Sequence, residues 1–400
     1  MKTIFNQHFN LFTSLILSIA LIAVINLTGC SSNDEEEVPR HIQDRVLADH
    51  TLLVYIVGDN NLSDYATDNF DIISNAYFNT PERNKANLFV YMDNLDGDPV
   101  LYWLDPVYGT NRLREYHESN SVSPTVIRDV CATAFGSGKR NNSINSVIFW
   151  SHGTNWLQAK NSGLSRSFGD DNGMQVNIAD MADAIKGLSI HNLMFDACYM
   201  GSVEVAAEFA DVADVLVGSP TEILATGFPY HSIIPDLCTS EPDMHKVVDR
   251  YFEYYDSQQG QYRSGILTSV NLAGIRTLAE TFGCLKYASY GDGPLADAPI
   301  LSYDRERSHL FYDLHDFAAL CRDMIPAEKD NGNIGNCFEL FNQAFEECGI
   351  YTRHTEQFLG IPLTNPCGLS IYVPRPTTYS ALHEFYQTLS WYKWCKPFNK

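Results

Sequence analysis

The stretch Ser146-Val-Ile-Phe-Trp-Ser-His-Gly153 and its counterpart Asn192-Leu-Met-Phe-Asp-Ala-Cys-Tyr-Met-Gly201 decide how the rest of the chain is read. Each is a short apolar run that stops abruptly at small and reactive residues. That is the pattern of a buried parallel strand, apolar on both faces, delivering a side chain to the edge of a sheet. One run delivers His152 and the other Cys198. Open α/β sheets hold ligands outside the carboxyl ends of their strands, so neighbouring strands would bring these two side chains together.

Working outward, Thr51-Leu-Leu-Val-Tyr-Ile-Val57 is dense in β-branched and aromatic residues and reads as the first core strand. Gly58-Asp-Asn-Asn-Leu62 follows as a turn with helix-capping chemistry, and Tyr65, Phe70, Ile73 and Tyr77 recur behind it at helical spacing. Asn87-Leu-Phe-Val-Tyr-Met92 closes this βαβ beginning. The acidic turn Asp93-Asn-Leu-Asp-Gly-Asp98 has Leu95 where an EF-hand loop needs its third-position oxygen, so it reads as a hairpin turn into Val100-Leu-Tyr-Trp-Leu104. A helix is expected from Ser123 to Phe135, with Pro124 in its first turn.

Asn155 to Gly173 reads as a long polar surface loop between the two strand motifs. Helices at Val176–Ile185 and Gly201–Phe209 and a strand at Val215–Ser219 continue the alternation. It predicts an α/β fold with a mainly parallel central sheet and helices on both faces. Beyond Asp236 the signals thin. Strands are expected at Ser264–Val270 and Gly368–Val373, with helices around His245–Tyr255, Leu272–Tyr287, His315–Cys321, Phe338–Glu347 and Leu382–Cys395. The organisation predicted is a core over residues 48–240 and an α-rich C-terminal elaboration over 241–400, either a separate domain or an extension of the same sheet.

The first 29 residues carry Lys2, the apolar run 11–25 and then Leu27-Thr-Gly-Cys30. A charged start, a short apolar core and a small-residue stop describe a secretory signal, and the run is short for a membrane span. Leu27-Thr28-Gly29-Cys30 resembles a bacterial lipobox, which implies cleavage before Cys30, lipidation of its thiol and acylation of its amine; an uncleaved anchor is the other reading. Residues 30–47 open with the acidic tether Ser31-Ser-Asn-Asp-Glu-Glu-Glu-Val-Pro39, which cannot pack a core. The expected address is the cell envelope, at the outer membrane and its surface.

Four hundred residues at 45% hydrophobic are enough for a sizeable core. A formal charge of -22 argues against nucleic acid and anionic membrane surfaces as partners held by charge, and fits basic peptides or plain solubility. A monomer is expected. The ten cysteines show no tight Cys-x-x-Cys framework, so any disulfide connectivity is not readable from their spacing.

A cysteine nucleophile acts as the thiolate, which a helix N-terminus or a nearby cation favours; for Cys198 the helix expected at Gly201–Phe209 would supply the former. His152 can serve as base toward the thiol or as acid toward a leaving amine. Gly153 admits close backbone approach, so the amides of Gly153 and Cys198 can cradle an oxyanion. Taken singly, a strand-end histidine is an ordinary satisfied polar residue and a cysteine an ordinary small hydrophobe. A catalytic zinc would need three protein ligands where two stand out, so no metal or other cofactor is expected.

Phe149-Trp-Ser-His-Gly153 and Met194-Phe-Asp-Ala-Cys-Tyr-Met-Gly201 resemble the histidine and cysteine motifs of the clostripain family of cysteine peptidases, relatives of caspases and gingipains. The likeness continues through Tyr55–Leu62, Gly218-Ser-Pro-Thr-Glu222 with Gly227-Phe-Pro-Tyr230, Tyr312–Phe317 and Cys367–Pro374, covering nearly all of residues 50–375. It implies a caspase-like fold, a dyad of His152 and Cys198, and cleavage of peptide or protein substrates after basic residues. It also implies that Asp196 lies in the primary specificity pocket, where a carboxylate suits Arg or Lys; capping of nearby amides is the alternative role.

One segment departs from the family pattern. Ile223-Leu-Ala-Thr-Gly-Phe228 puts Thr226 where a second acid is expected, with Glu222 as a partial substitute. Some members cut themselves between the two motifs, and Arg166, then Lys160, are placed for this; an exposed loop with two positive charges is the plain reading. Calcium activation, reported for parts of the family, has no recognisable ligand pattern here. Two functions follow: a lipid-anchored extracytoplasmic cysteine endopeptidase, or a peptidase-fold lipoprotein that binds a partner after losing proteolysis, suggested by Thr226.

Overall fold

The computed structural model describes residues 48–117, 119–137, 143–157, 167–289, 299–307, 309–324, 333–376 and 379–396. Cys30, Lys160 and Arg166 lie outside these residues, as do the signal and tether.

Strand β1 (His50–Gly58) is buried along its whole length because apolar residues fill both of its faces. After α1 (Ser63–Asn79), β2 (Ala86–Asn94) pairs parallel to it, Leu52 against Leu88. β3 (Val100–Asp105) returns antiparallel through the acidic hairpin turn, and β4 (Gly109–Glu115) follows antiparallel again. Then come α2 (Pro124–Ser137), β5 (Ile144–Trp150), the hairpin β6 (Phe168–Asp171) and β7 (Met174–Val176), and α3 (Ile178–Ile185). β8 (Asn192–Asp196), α4 (Val203–Phe209) and β9 (Val215–Gly218) complete the parallel strands.

The remaining elements are α5 (Tyr230–Leu237), α6 (Met244–Asp256), β10 (Ile266–Asn271), α7 (Ile275–Ser289), β11 (Phe311–Asp313), α8 (Leu314–Asp323) and α9 (Asn333–Glu347). After them lie β12 (Tyr351–His354), β13 (Gln357–Phe358), β14 (Ile361–Pro362), β15 (Ser370–Tyr372), α10 (Tyr379–Tyr386) and α11 (Ser390–Cys395).

The central sheet has nine strands in the order β12-β10-β9-β8-β5-β1-β2-β3-β4. The middle of it, from β9 to β2, is parallel, and the strands at both edges are antiparallel. β1 divides its side chains between two layers. Leu52, Val54 and Ile56 pack with Ile73 and Tyr77 of α1, Ile233 and Ile234 of α5, and Val247 and Tyr251 of α6. Tyr55 alternates to the other face and stacks with Tyr91 and Phe149, where α2, α3, α4 and α7 pack in succession. Each fully buried Leu, Ile or Val contributes about 1.5–3 kcal/mol, so this double-sided burial fixes the strand order and the ends where the site forms.

Several expectations need correction. Tyr65 is 39% exposed on α1, whose buried stripe is Ala66, Asn69, Ile73 and Tyr77. The α1 N-cap is Leu62, which lacks a side-chain cap bond; Asn60 instead accepts the Leu62 N–H at 2.8 Å. The stretch expected as a surface loop up to Gly173 ends in β6, buried at every position, and Val176 belongs to β7 rather than to a helix. The helix expected over Leu382–Cys395 is two, α10 and α11. β10 and β12, from beyond residue 240, pair into the same sheet as β1. Cys284 and Cys337 form a disulfide between α7 and α9. No helix among the described residues is long and apolar enough to cross a membrane.

Candidate active site

Trp150 of β5 and Asp196 of β8 are the last paired residues of those adjacent parallel strands. His152 and Cys198 each stand two positions beyond, so the shared register carries both to the same edge of the sheet. They line one cavity of about 260 Å³ together with Leu62, Trp150, Asp196 and Glu222. Gly153 is the residue that lets the two turns meet: a Cβ there would lie 2.7 Å from the Cys198 carbonyl oxygen and 3.3 Å from its nitrogen. The Gly153 and Cys198 backbones therefore lie side by side, as a shared oxyanion cradle requires.

Cys198 is half-buried. The Ile223 N–H donates to its Sγ at 3.3 Å, and the thiol points back at the Ile223 carbonyl at 3.7 Å. Burial pushes the thiol up to about 12; the Ile223 amide opposes this, and the negative charges of Glu222 and Asp196 add to it. The activation expected from a following helix is not what sets the group. α4 begins only at Val203, and its Val205 N–H is already taken by the Ser202 hydroxyl at 3.1 Å. At neutral pH the resting group is the thiol.

Tyr199, next to Cys198, has φ +63°, a left-handed conformation costing about 1–3 kcal/mol for a side chain of this size. Its N–H donates to the Thr221 carbonyl at 2.7 Å, and the Gly201 N–H donates to the Ser219 carbonyl at 2.7 Å. These bonds to the exit of β9 hold the sharp turn that lifts Cys198 to the sheet edge.

His152 Nε2 lies 2.7 Å from Asn61 Oδ1. The backbone of the same turn is braced by β6: the Gly169 N–H donates to the His152 carbonyl at 2.9 Å, and the Thr154 N–H to the Ser167 carbonyl at 3.0 Å. Asn61 was not among the expected site residues. Its signal in the sequence is a pair of asparagines directly behind the first core strand, inside the Tyr55–Leu62 segment that shares the family likeness.

Asp196 sits 3% exposed at the cavity floor. Its Oδ2 accepts the Phe228 N–H at 2.8 Å and the Tyr230 hydroxyl at 2.9 Å, while Oδ1 has no hydrogen-bond partner among the described residues. One oxygen of this carboxyl group thus caps an amide, while the other is buried and unpartnered among the described residues. Burial raises it to about 7, against the two hydrogen bonds. Gly227, at φ +67°, permits this approach, since a Cβ there would stand 2.6 Å from Asp196 Oδ2.

Glu222 lines the cavity, but Arg305 holds it in a two-pronged pair, Nε to Oε2 at 2.7 Å and the second guanidinium nitrogen to Oε1 at 3.0 Å. Thr226 is exposed outside the cavity lining; its hydroxyl lies 3.0 Å from that of Tyr255, which donates to the Gly227 carbonyl at 2.7 Å. It is a brace for the Gly227 turn rather than a wall of the pocket. Among the described residues no group of three or more His, Cys, Asp or Glu is arranged to hold a metal ion.

Sheet and cavity together define a cysteine peptidase of caspase-like architecture. The clostripain family of peptidases matches residues 54–280, and the chain belongs to that family of cysteine-type endopeptidases. An inactive zymogen C11 protease from Parabacteroides distasonis superimposes with a TM-score of 0.74 at 26% identity, over 88% of this chain and 99% of that one. A secreted C11 cysteine protease from Bacteroides thetaiotaomicron, in complex with an irreversible peptide inhibitor, shares the fold with a TM-score of 0.71 at 24% identity, over 87% of this chain and 99% of that one. No curated protein matches the chain.

Proposed function

We propose that this endopeptidase works through His152 and Cys198, cleaves after Arg or Lys, and acts from a lipid anchor at Cys30. The observation that carries the reading is the cavity itself: the half-buried Cys198, His152 and Asp196, whose Oδ1 is unpartnered among the described residues, all line one space. Substrate binding brings the scissile carbonyl over Sγ. As sulfur attacks, the thiol proton passes to the His152 imidazole, and the amides of Gly153 and Cys198 receive the oxyanion. Collapse breaks the C–N bond, and His152 returns the proton to the leaving amine. Water then hydrolyses the thioester, again with His152 as base.

An Arg or Lys side chain entering the cavity meets Asp196 Oδ1 and supplies the hydrogen bond that oxygen lacks. Glu222 adds little pull because Arg305 already neutralises it. On this reading the pocket works through the single carboxyl group of Asp196, and Thr226 stands outside the cavity lining. Self-processing at Arg166, or secondarily Lys160, fits their place in the sequence between the two motifs, with Ser167, the residue after Arg166, bonded to the His152 turn through Thr154.

The full chain, purified from membranes with Cys198→Ala alongside, tests all three parts. Reporters with Arg, Lys, Gln or Leu before the scissile bond should be turned over only for Arg and Lys, and only by wild type. Intact mass should show a start at Cys30 lipidated on its thiol and acylated on its amine in both proteins, and a new end at Arg166 in wild type alone. Equal turnover by Cys198→Ala, or none by either protein, rejects the peptidase reading for this pair; an unmodified start at Met1 rejects the anchor.

A further inference from the structure

The contact between His152 and Asn61 has a chemical direction. An amide oxygen only accepts, so with Asn61 Oδ1 at 2.7 Å the Nε2 of His152 carries a proton, and whenever the ring is neutral that tautomer has its lone pair on Nδ1. Asn61 is presented by a turn with little room to drift. The Asn60 side chain donates to the Val57 carbonyl at 3.2 Å and to the Asp170 carbonyl at 2.6 Å, and accepts the Leu62 N–H at 2.8 Å. The Asn172 N–H donates to the Asp59 carbonyl at 3.0 Å. Ser151, beside His152, donates its hydroxyl to the same Val57 carbonyl at 2.9 Å, so the exit turns of β1 and β5 share one anchor.

We propose that Asn61 is a positioning residue of the active site, selecting the Nε2–H tautomer of His152 so that Nδ1 is the nitrogen that takes the Cys198 proton. The proposal rests on the peptidase reading above for its kinetic consequence, though not for the tautomer itself. A neutral amide orients the ring without adding the charge that a carboxylate would place against it.

The test compares Asn61→Ala and Asn61→Asp with wild type in the full chain. In Asn61→Ala, kcat should fall about 10- to 100-fold, the range seen when partners orienting functional imidazoles are removed, with KM and melting temperature unchanged. Asn61→Asp keeps the acceptor, so it should recover much of kcat and move the acidic limb of the pH–kcat profile upward as the carboxylate stabilises the imidazolium. The ¹⁵N shifts of the His152 ring should report Nε2–H in wild type and lose that bias in Asn61→Ala. Unchanged ring shifts in Asn61→Ala overturn the proposal, whether or not activity falls, and so does an unmoved pH limb in Asn61→Asp. Should wild type itself turn over nothing, the peptidase reading fails by itself, while the ring shifts still decide the role of Asn61.

Discussion

At the scale of single residues, the cavity lined by His152, Asp196 and Cys198 depends on two glycine-permitted approaches. Gly153 lets the histidine turn lie on the cysteine turn, and Gly227 lets a backbone amide reach Asp196. Gly227→Ala would strain a positive φ and drive a Cβ into Asp196 Oδ2. Turnover of Arg and Lys reporters should fall more than tenfold, in keeping with a displacement of about 1 Å at a reacting site. Alkylation of Cys198 by a small thiol reagent should keep its wild-type rate, because the turn that carries Cys198 is untouched. Parallel loss of both readouts would show that Gly227 supports the whole site rather than the pocket. His152, Cys198 and Asp196 were legible because each terminates an apolar run. Asn61 and Arg305 were not, since each comes from a segment distant in sequence and carries no pattern of its own.

At the scale of elements, the parallel strands were visible as continuous apolar runs, a consequence of burial on both faces. β4 was invisible for the converse reason: Gly-Thr-Asn-Arg-Leu-Arg-Glu is an edge strand, polar and partly exposed throughout, and nothing in its composition separates it from a loop. The C-terminal helices are held by packing and by the Cys284–Cys337 disulfide, which joins α7 to α9 across a sequence separation of 53. Replacing both cysteines by serine should lower the unfolding free energy by about 2–4 kcal/mol, read as an earlier midpoint in urea with little change in slope. A midpoint equal to wild type would mean that the helix packing alone carries this region.

At the scale of the whole molecule, three buried carboxyls, Asp93, Asp196 and Glu204, are each raised to about 7, burial being the largest cause in every case. Their folded forms bind protons that the unfolded chain has already released. The stability they contribute is therefore complete below about pH 4, where both states are protonated, and is lost as pH rises through about 7. Asp93 is the cleanest probe, being 3% exposed, with its Oδ2 unpartnered among the described residues and the like charges of Asp171 and Asp59 adding to the shift. Asp93→Asn should melt with wild type near pH 4 and above it near pH 8; a constant offset across that range would deny Asp93 the titration. The same proton on Asp196 should weaken the grip on Arg and Lys substrates below neutrality.

The sequence by itself determined the alternation of strands and helices, the two strands that end in His152 and Cys198, and the family likeness that runs through them. It could do so because burial, periodicity and strand termination are local properties of the chain. The tertiary structure decided the rest: that β10 and β12 belong to the central sheet, that Arg305 occupies Glu222, that Thr226 faces Tyr255, and that Asn61 holds the histidine ring. These are pairings between residues tens of positions apart. Their free energies depend on distance and desolvation, which exist only once the sheet has brought the partners together.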